Sequence, residues 1–216
     1  PRIEVRGEPA PDGDVQFLGV AADGVSSLAL SVTAVGISPE TVRVSPPRLG
    51  ELAEQSPLGF LLVLDSAGRG RLEYRPPAYV EERELARSLP VHRYEGASPV
   101  WCAAIPLEFE YEDVEGKPGR SRAEILIVRP PVMLVHGFLG NVTTWSRFAE
   151  HLQGRKFDAV LGEYFTRGAK SDSIPAQSKL LGDYIAGQVR DYARAGIVLG
   201  RVDVVAHSMG GLIWRY

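Results

Sequence analysis

Two patterns of hydrophobic and polar positions divide the chain near residue 129. Before that point, short runs of β-branched and aromatic residues alternate with turn formers, as at Asp12-Gly13, Asp23-Gly24 and Pro46-Pro47. Such runs predict short strands joined by turns. The strands are expected at residues 15–20, 27–35, 41–44, 60–64, 71–74, 101–111 and 123–128. The first part of the chain is therefore predicted to be all-β.

One of these runs predicts a strand with one buried face. Leu107, Phe109 and Tyr111 alternate with three glutamates, and the EGKPG segment at 115–119 is typical of a hairpin connection. About seven short strands predict an immunoglobulin-like β-sandwich domain over residues 1–129. The GRGRLEYRPP segment at 68–77 also resembles bacterial immunoglobulin-like domains. Residues 81–89 predict either a short helix or a charged loop.

After residue 129 the pattern changes to long apolar runs and helical periodicity. Residues 131–135 form an unbroken apolar run, which suits a parallel strand buried on both faces. A helix capped by Thr143 or Thr144 and ended by Gly154, a short strand at 157–161, and a second helix ended by Gly196 follow. The apolar positions of the two helices are Trp145, Phe148, Ala149 and Leu152, then Leu181, Tyr184, Ile185, Val189 and Tyr192. With a strand at 202–206, this order predicts an α/β domain with a parallel sheet over residues 130–216.

The last predicted strand leads into a serine motif. Ala206-His207-Ser208-Met209-Gly210 has the form G-x-S-x-G, with alanine in the first glycine position. A sharp turn between strand and helix exposes the serine, and its crowding requires small residues such as Ala206 and Gly210 on either side. Gly211 is expected to let the following helix pack closely. We interpret Ser208 as a nucleophile and the backbone N–H of Met209 as an oxyanion donor.

A second motif completes the predicted oxyanion hole. His136-Gly137 follows the first buried strand, about 70 residues before Ser208. Glycines at 137 and 140 allow a tight turn and a close backbone approach. The backbone N–H of Phe138 is expected to supply the second donor.

Residues 131–216 resemble the first half of an α/β-hydrolase, close to bacterial lipases and PGAP1-like lipases. The resemblance lies in VHGFLG, the aromatic Trp145 and VVAHSMGGLIWRY. It implies a carboxylic-ester hydrolase that forms an acyl-enzyme on Ser208, with the N–H groups of Phe138 and Met209 as the oxyanion hole.

The chain departs from this family after the serine. In α/β-hydrolases the triad acid and histidine follow the nucleophile, whereas only eight residues follow Ser208 and none is Asp, Glu or His. Asp172 is the only acidic residue that stands out, and a solvated loop carboxylate is its simpler interpretation. The four histidines are expected to have other roles: His92, His136, His151 and His207. We therefore expect a fragment that is inactive alone, with an unpaired serine strand, and that needs a C-terminal segment or a complementing chain.

The loop at 163–177 is the candidate pocket. It follows a strand end, the side on which ligands bind in open α/β sheets. Tyr164 and Phe165 are candidate binding residues in an acyl pocket or lid, and a plain surface loop is the alternative.

Composition narrows the functional classes. A net charge of −3 without a basic cluster argues against nucleic acid, and no apolar run approaches the roughly 20 residues of a membrane span. The single cysteine, Cys102, has no disulfide partner in the chain, and no metal-ligand spacing is present, so no cofactor is expected. The expected partner is an ester or lipid substrate. A secreted or cell-surface location is expected, with the cytoplasm left open.

Two other functions fit the same residues. A hydrolase-like half can serve binding or assembly without catalysis, and the same nucleophile can act in an acyltransferase or thioesterase. The β-sandwich carries no recognisable chemistry, and structural support is its simplest role.

Overall fold

The computed structural model describes residues 1–10, 15–38, 40–53, 59–93, 96–161 and 173–216. The first part of the chain is built from strands: β1 (Arg2–Gly7), β2 (Gly19–Ala21), β3 (Leu28–Val35), β4 (Arg43–Val44), β5 (Glu51–Leu52), β6 (Phe60–Leu61), β7 (Arg69–Arg75), β8 (Arg87–Arg93), β9 (Gly96–Glu112) and β10 (Pro118–Val128). A short 3-10 helix (Glu82–Glu84) precedes β8. The second part contains β11 (Val132–Val135), a 3-10 turn (Val142–Trp145), α1 (Ser146–Gly154), β12 (Ala159–Leu161), α2 (Ile174–Arg194), β13 (Ile197–Val198), β14 (Asp203–Ala206) and α3 (Met209–Arg215).

Two sheets of the first part face each other across one core. The first has the order β1-β3-β7-β5 and is antiparallel, and the second has the order β13-β2-β10-β9-β4-β6, with β8 also paired to β9. Alternate residues of both sheets meet in the core, which includes Leu30, Tyr74, Ile105, Phe109 and Ile127. The predicted inward side of β9 is confirmed, because Leu107, Phe109 and Tyr111 are buried while Glu108, Glu110 and Glu112 are exposed. This part is thus a two-sheet β-sandwich, and its immunoglobulin-like character stays a prediction.

The second part contains a three-stranded parallel sheet of order β12-β11-β14. Helix α1 covers one face, where it packs on Leu134 and Val205. Helices α2 and α3 cover the other face, where they pack on Val135 and Val204. Adjacent residues of β14 therefore point to opposite faces and are covered on both. Among the described residues, β14 pairs only with β11, so the serine strand lies at an edge.

The two parts share hydrogen bonds and a hydrophobic cluster. Strand β13 pairs in parallel with β2, so it adds a strand from the second part to the sandwich. Tyr192 of α2 and Leu199 pack with Val91, Val100 and Val128 of the sandwich. Helix α2 therefore covers the α/β sheet along one stretch and the sandwich along another.

Several sequence predictions need correction. Residues 81–89 form a single 3-10 turn followed by the start of β8, because β8 pairs with β9 from Arg87↔Cys102 to Arg93↔Gly96. The predicted cap of α1 was wrong, because the N-cap of α1 is Trp145, which makes no side-chain cap hydrogen bond. Asn141 instead caps the preceding 3-10 turn, where its side chain accepts from Thr143 N and Thr144 Oγ1 accepts from Asn141 N. Strands β1, β5, β8 and β13 were not predicted. Within the described ranges, no helix is long and apolar enough to cross a membrane.

Candidate active site

Ser208 lies in a strained turn between β14 and α3. Its φ is 53° and its ψ is −125°, a region that residues with a Cβ rarely occupy. The turn is held by Gly210 N, which donates to His207 O, and Gly211 N, which donates to Ser208 O, both at 3.0 Å. The side chain of Ser208 is exposed. This backbone geometry agrees with the predicted elbow turn, in which strain presents the serine at the end of a sheet. The role of Ser208 as a nucleophile stays a prediction.

Gly210 makes the turn possible because the end of strand β11 lies directly against it. A Cβ at Gly210 would lie 2.7 Å from His136 O and 2.8 Å from Val135 O. The expectation for Gly211 was wrong, since a Cβ there would meet nothing within 4 Å among the described residues. The close approach of α3 to β11 thus depends on Gly210.

The His136-Gly137 loop lies against the elbow. A Cβ at Gly137 would be 2.9 Å from both Ser208 Cβ and His207 O, so only glycine allows this approach. Gly137 directly precedes Phe138, and Ser208 directly precedes Met209. The structure therefore brings together the two segments that carry the predicted oxyanion donors. The convergence of the two N–H groups on one point stays a prediction.

The histidines occupy different environments. His136 is buried, and its Nδ1 lies 3.0 Å from Gly137 O, which fits a role in holding the loop. His207 is exposed within the elbow, and His92 and His151 are exposed on β8 and α1. In the described ranges, Ser208 Oγ makes no hydrogen bond to an imidazole or a carboxylate.

Exposed apolar side chains flank the elbow. Phe138 and Leu139 follow Gly137 and are 59% and 72% exposed. Leu212 and Trp214 of α3 are 55% and 46% exposed. Both segments that adjoin Ser208 thus carry exposed apolar side chains.

Tyr164, Phe165 and Asp172 lie outside the described residues, so the predicted acyl pocket or lid has no structural description. The predicted end of that loop at residue 177 was wrong, because α2 begins at Ile174 and residues 174–177 are helical. Ser173 Oγ accepts from Ala176 N at 3.4 Å and caps α2.

One group that contacts the segment before β14 was not found from the sequence. Asp23 is 8% exposed and accepts hydrogen bonds from Gly200 N and Arg201 N, just before β14. The only sequence signal was the Asp23-Gly24 turn pair, which by itself predicts a turn and no distant contact.

A family model described as alpha/beta hydrolase fold matches residues 130–216. The match covers the parallel sheet, the helices α1, α2 and α3 and the turn at Ser208, and it supports the α/β-hydrolase superfamily. This fold suggests a hydrolase-type function. No curated protein matches the chain significantly. Among the described residues, no group of three or more His, Cys, Asp or Glu is placed to hold a metal ion.

Proposed function

We propose that the protein is a serine hydrolase that cleaves carboxylic esters, as an esterase or lipase, through an acyl-enzyme on Ser208. The observation that carries this proposal is the strained backbone of Ser208, which is exposed between the parallel strand β14 and helix α3. Strain of this kind persists only where the surrounding structure imposes it, and it clusters at functional sites.

The chemistry proceeds in two steps. Ser208 Oγ attacks the ester carbonyl carbon, its proton passes to a base, and the N–H groups of Phe138 and Met209 stabilise the oxyanion. The ester C–O bond then breaks, the base returns the proton to the leaving alcohol, and the acyl group remains on Ser208. Water then attacks the acyl carbon and gives one proton to the base. The bond between the acyl carbon and Ser208 Oγ breaks, the base returns the proton to Oγ, and the carboxylic acid leaves. The base and its orienting acid are not assigned to any described residue.

The apolar surface beside the elbow supports an ester with an apolar acyl group. Phe138 and Leu139 are exposed in the loop that lies against the turn, and Leu212 is exposed on the helix that follows Ser208. Tyr164 and Phe165 are proposed to contribute to the same acyl site. A substrate of this kind is also the reason for proposing a secreted or cell-surface location.

Active-site labelling tests the proposal. A fluorophosphonate probe, applied to the natural full-length protein, is expected to label the wild type and not Ser208→Ala. Ser31→Ala is the matched control, because Ser31 is an exposed serine on the regular strand β3. Equal labelling of wild type and Ser208→Ala would exclude Ser208 as the nucleophile. Failure to label the wild type would favour the non-catalytic binding alternative.

A further inference from the structure

The segment that leads into the serine strand is held by the β-sandwich. We call residues 196–201 the lead-in segment. Gly196 O accepts hydrogen bonds from Leu18 N at 2.9 Å and from Gly19 N at 3.0 Å. Strand β13 then pairs in parallel with β2. The path from α2 to β14 therefore runs along the edge of the sandwich before it reaches the α/β sheet.

Asp23 closes this contact at the end nearest β14. Its Oδ2 accepts from Gly200 N and Arg201 N, both at 3.0 Å. Its Oδ1 accepts from Val25 N at 3.0 Å and Ser26 N at 2.8 Å, which fixes the carboxylate in its own loop. Ser26 Oγ donates to Asp23 Oδ2 at 2.8 Å and accepts from Gly200 N at 2.8 Å. One buried carboxylate thus joins the sandwich to the lead-in segment.

The carboxylate is held in its charged form. Burial by itself raises the pKa of Asp23, but hydrogen bonds from Val25, Ser26 and Gly200 outweigh it and hold the pKa below its usual range. Hydrogen bonds to an ionised acceptor are stronger than those between neutral groups. Asp23 therefore forms a firm attachment at neutral pH.

The attachment lies close to the nucleophile along the chain. Arg201 is two residues before Asp203, the first residue of β14, and Asp203 N donates to Pro131 O at 3.0 Å. The parallel register from Val132↔Asp203 to Val135↔Ala206 sets where the elbow meets the Gly137 loop. In the described residues β14 pairs with β11 alone, so its position also depends on the lead-in segment that precedes it.

We propose that Asp23 is a positioning residue for the reaction of Ser208, and that the β-sandwich is an integral part of the catalytic unit. Asp23 holds the lead-in segment, the lead-in segment holds the register of β14, and the register places Ser208 beside the oxyanion loop. This inference rests on the proposed function for its catalytic consequence. The structural part of the inference, which is the coupling of Asp23 to β14, is tested independently of catalysis.

Hydrogen exchange tests the coupling without any activity. In Asp23→Asn an N–H₂ group replaces one carboxylate oxygen, so this donor faces backbone N–H groups that are also donors. The negative charge that they bind is lost as well. We expect faster exchange at the amides of residues 200 and 201 and, beyond them, at those of β14 and Ser208. Asp65→Asn is the matched control, because Asp65 Oδ1 also accepts two backbone N–H groups, from Ala67 and Arg69, in a sandwich turn. The control is expected to leave exchange in β14 unchanged.

Labelling kinetics test the catalytic consequence in the natural full-length protein. In the folded fraction of Asp23→Asn, we expect the maximal rate of fluorophosphonate labelling to fall by about 10- to 100-fold, because small misplacements of a nucleophile are costly. The concentration for half-maximal rate is expected to change little. Ser26→Ala is expected to give a smaller loss, since Gly200 N keeps its bond to Asp23. Asp65→Asn is expected to label like the wild type.

The outcomes separate this inference from the proposed function. Faster exchange that reaches β14, together with slower labelling, supports it. Exchange changes confined to residues 23–26 and 200–201, or wild-type labelling rates in folded Asp23→Asn, overturn it. A wild type that does not label refutes the proposed function instead, and the exchange result alone then decides whether Asp23 positions β14.

Discussion

At the scale of single residues, the site depends on the contrast between two adjacent glycines. Gly210 lies against backbone carbonyl oxygens of β11, whereas Gly211 faces open space in the described part of the chain. Backbone atoms cannot rotate away as a side chain can. The elbow therefore tolerates no side chain at the first position and accepts one at the second.

Alanine at the two glycines gives opposite results. Gly210→Ala places a Cβ 2.7 Å from His136 O, so α3 or β11 has to move. We expect the free energy of unfolding to fall by about 1–3 kcal/mol and labelling of Ser208 to be largely lost. Gly211→Ala, the control, is expected to be neutral or to stabilise by up to about 1 kcal/mol, since alanine is the better helix former. Urea unfolding and probe labelling measure both, and equal behaviour of the two variants contradicts the packing argument.

At the scale of elements, Arg129 joins the end of β10 to the α/β unit. It is 3% exposed, and it donates to Val80 O, Arg155 O and Tyr79 Oη, each at 2.8 Å. Its guanidinium also lies over the rings of Tyr79 and Phe157. The planar guanidinium makes these contacts together, which lysine cannot do. Burial lowers the pKa of Arg129, but arginine remains charged at neutral pH.

Removing these donors is expected to destabilise the protein. Arg129→Met keeps most of the apolar volume but leaves Val80 O and Arg155 O without their donor. We expect the free energy of unfolding to fall by about 1–3 kcal/mol. Arg120→Met is the control, because the Arg120 side chain is 84% exposed and pairs with Glu110 on the surface. The free energy of unfolding of Arg120→Met is expected to fall by only about 0–1 kcal/mol. Chemical denaturation measures both, and a similar small loss for Arg129→Met argues against this junction.

At the scale of the whole molecule, the sandwich and the α/β unit depend on each other for burial. Tyr192, Ile197 and Leu199 of the second part are buried against Val91 and Val128 of the first. The Tyr192 hydroxyl donates to Asp158 at 2.6 Å beneath this cluster. Removal of the sandwich would therefore expose the side chains of Tyr192, Ile197 and Leu199. It would also expose the edge of β13 that pairs with β2.

Separation of the two parts tests this dependence. Residues 130–216 expressed alone are expected to lack a cooperative unfolding transition and to bind a hydrophobic dye, because the shared cluster loses one side. The matched control is the chain of residues 1–216, which retains the cluster. Circular dichroism during urea titration and dye fluorescence provide the measurements. Cooperative unfolding of the shorter chain at the same urea concentration would show that the sandwich is dispensable for folding.

Local patterns in the sequence were enough to place the elements around Ser208. The apolar runs predicted β11 and β14, and the helical spacing predicted α1 and α2, since each pattern records which faces of one element are buried. The small residues around Ser208 predicted a sharp turn because crowding acts within a few residues. Within this local range the elbow and its neighbouring His136-Gly137 loop were predicted from the sequence.

Contacts between distant segments were decided only by the tertiary structure. Strand β13 has two residues and no periodicity to detect, and it forms because β2 offers an edge. Asp23 accepts hydrogen bonds from Gly200 and Arg201, which lie 177 and 178 positions later in the chain. The Asp23-Gly24 pair carries no information about these partners. The choice between Gly210 and Gly211 likewise depends on where β11 passes. A sequence pattern records the burial of a face, whereas the partner that buries it is selected by packing across the whole chain.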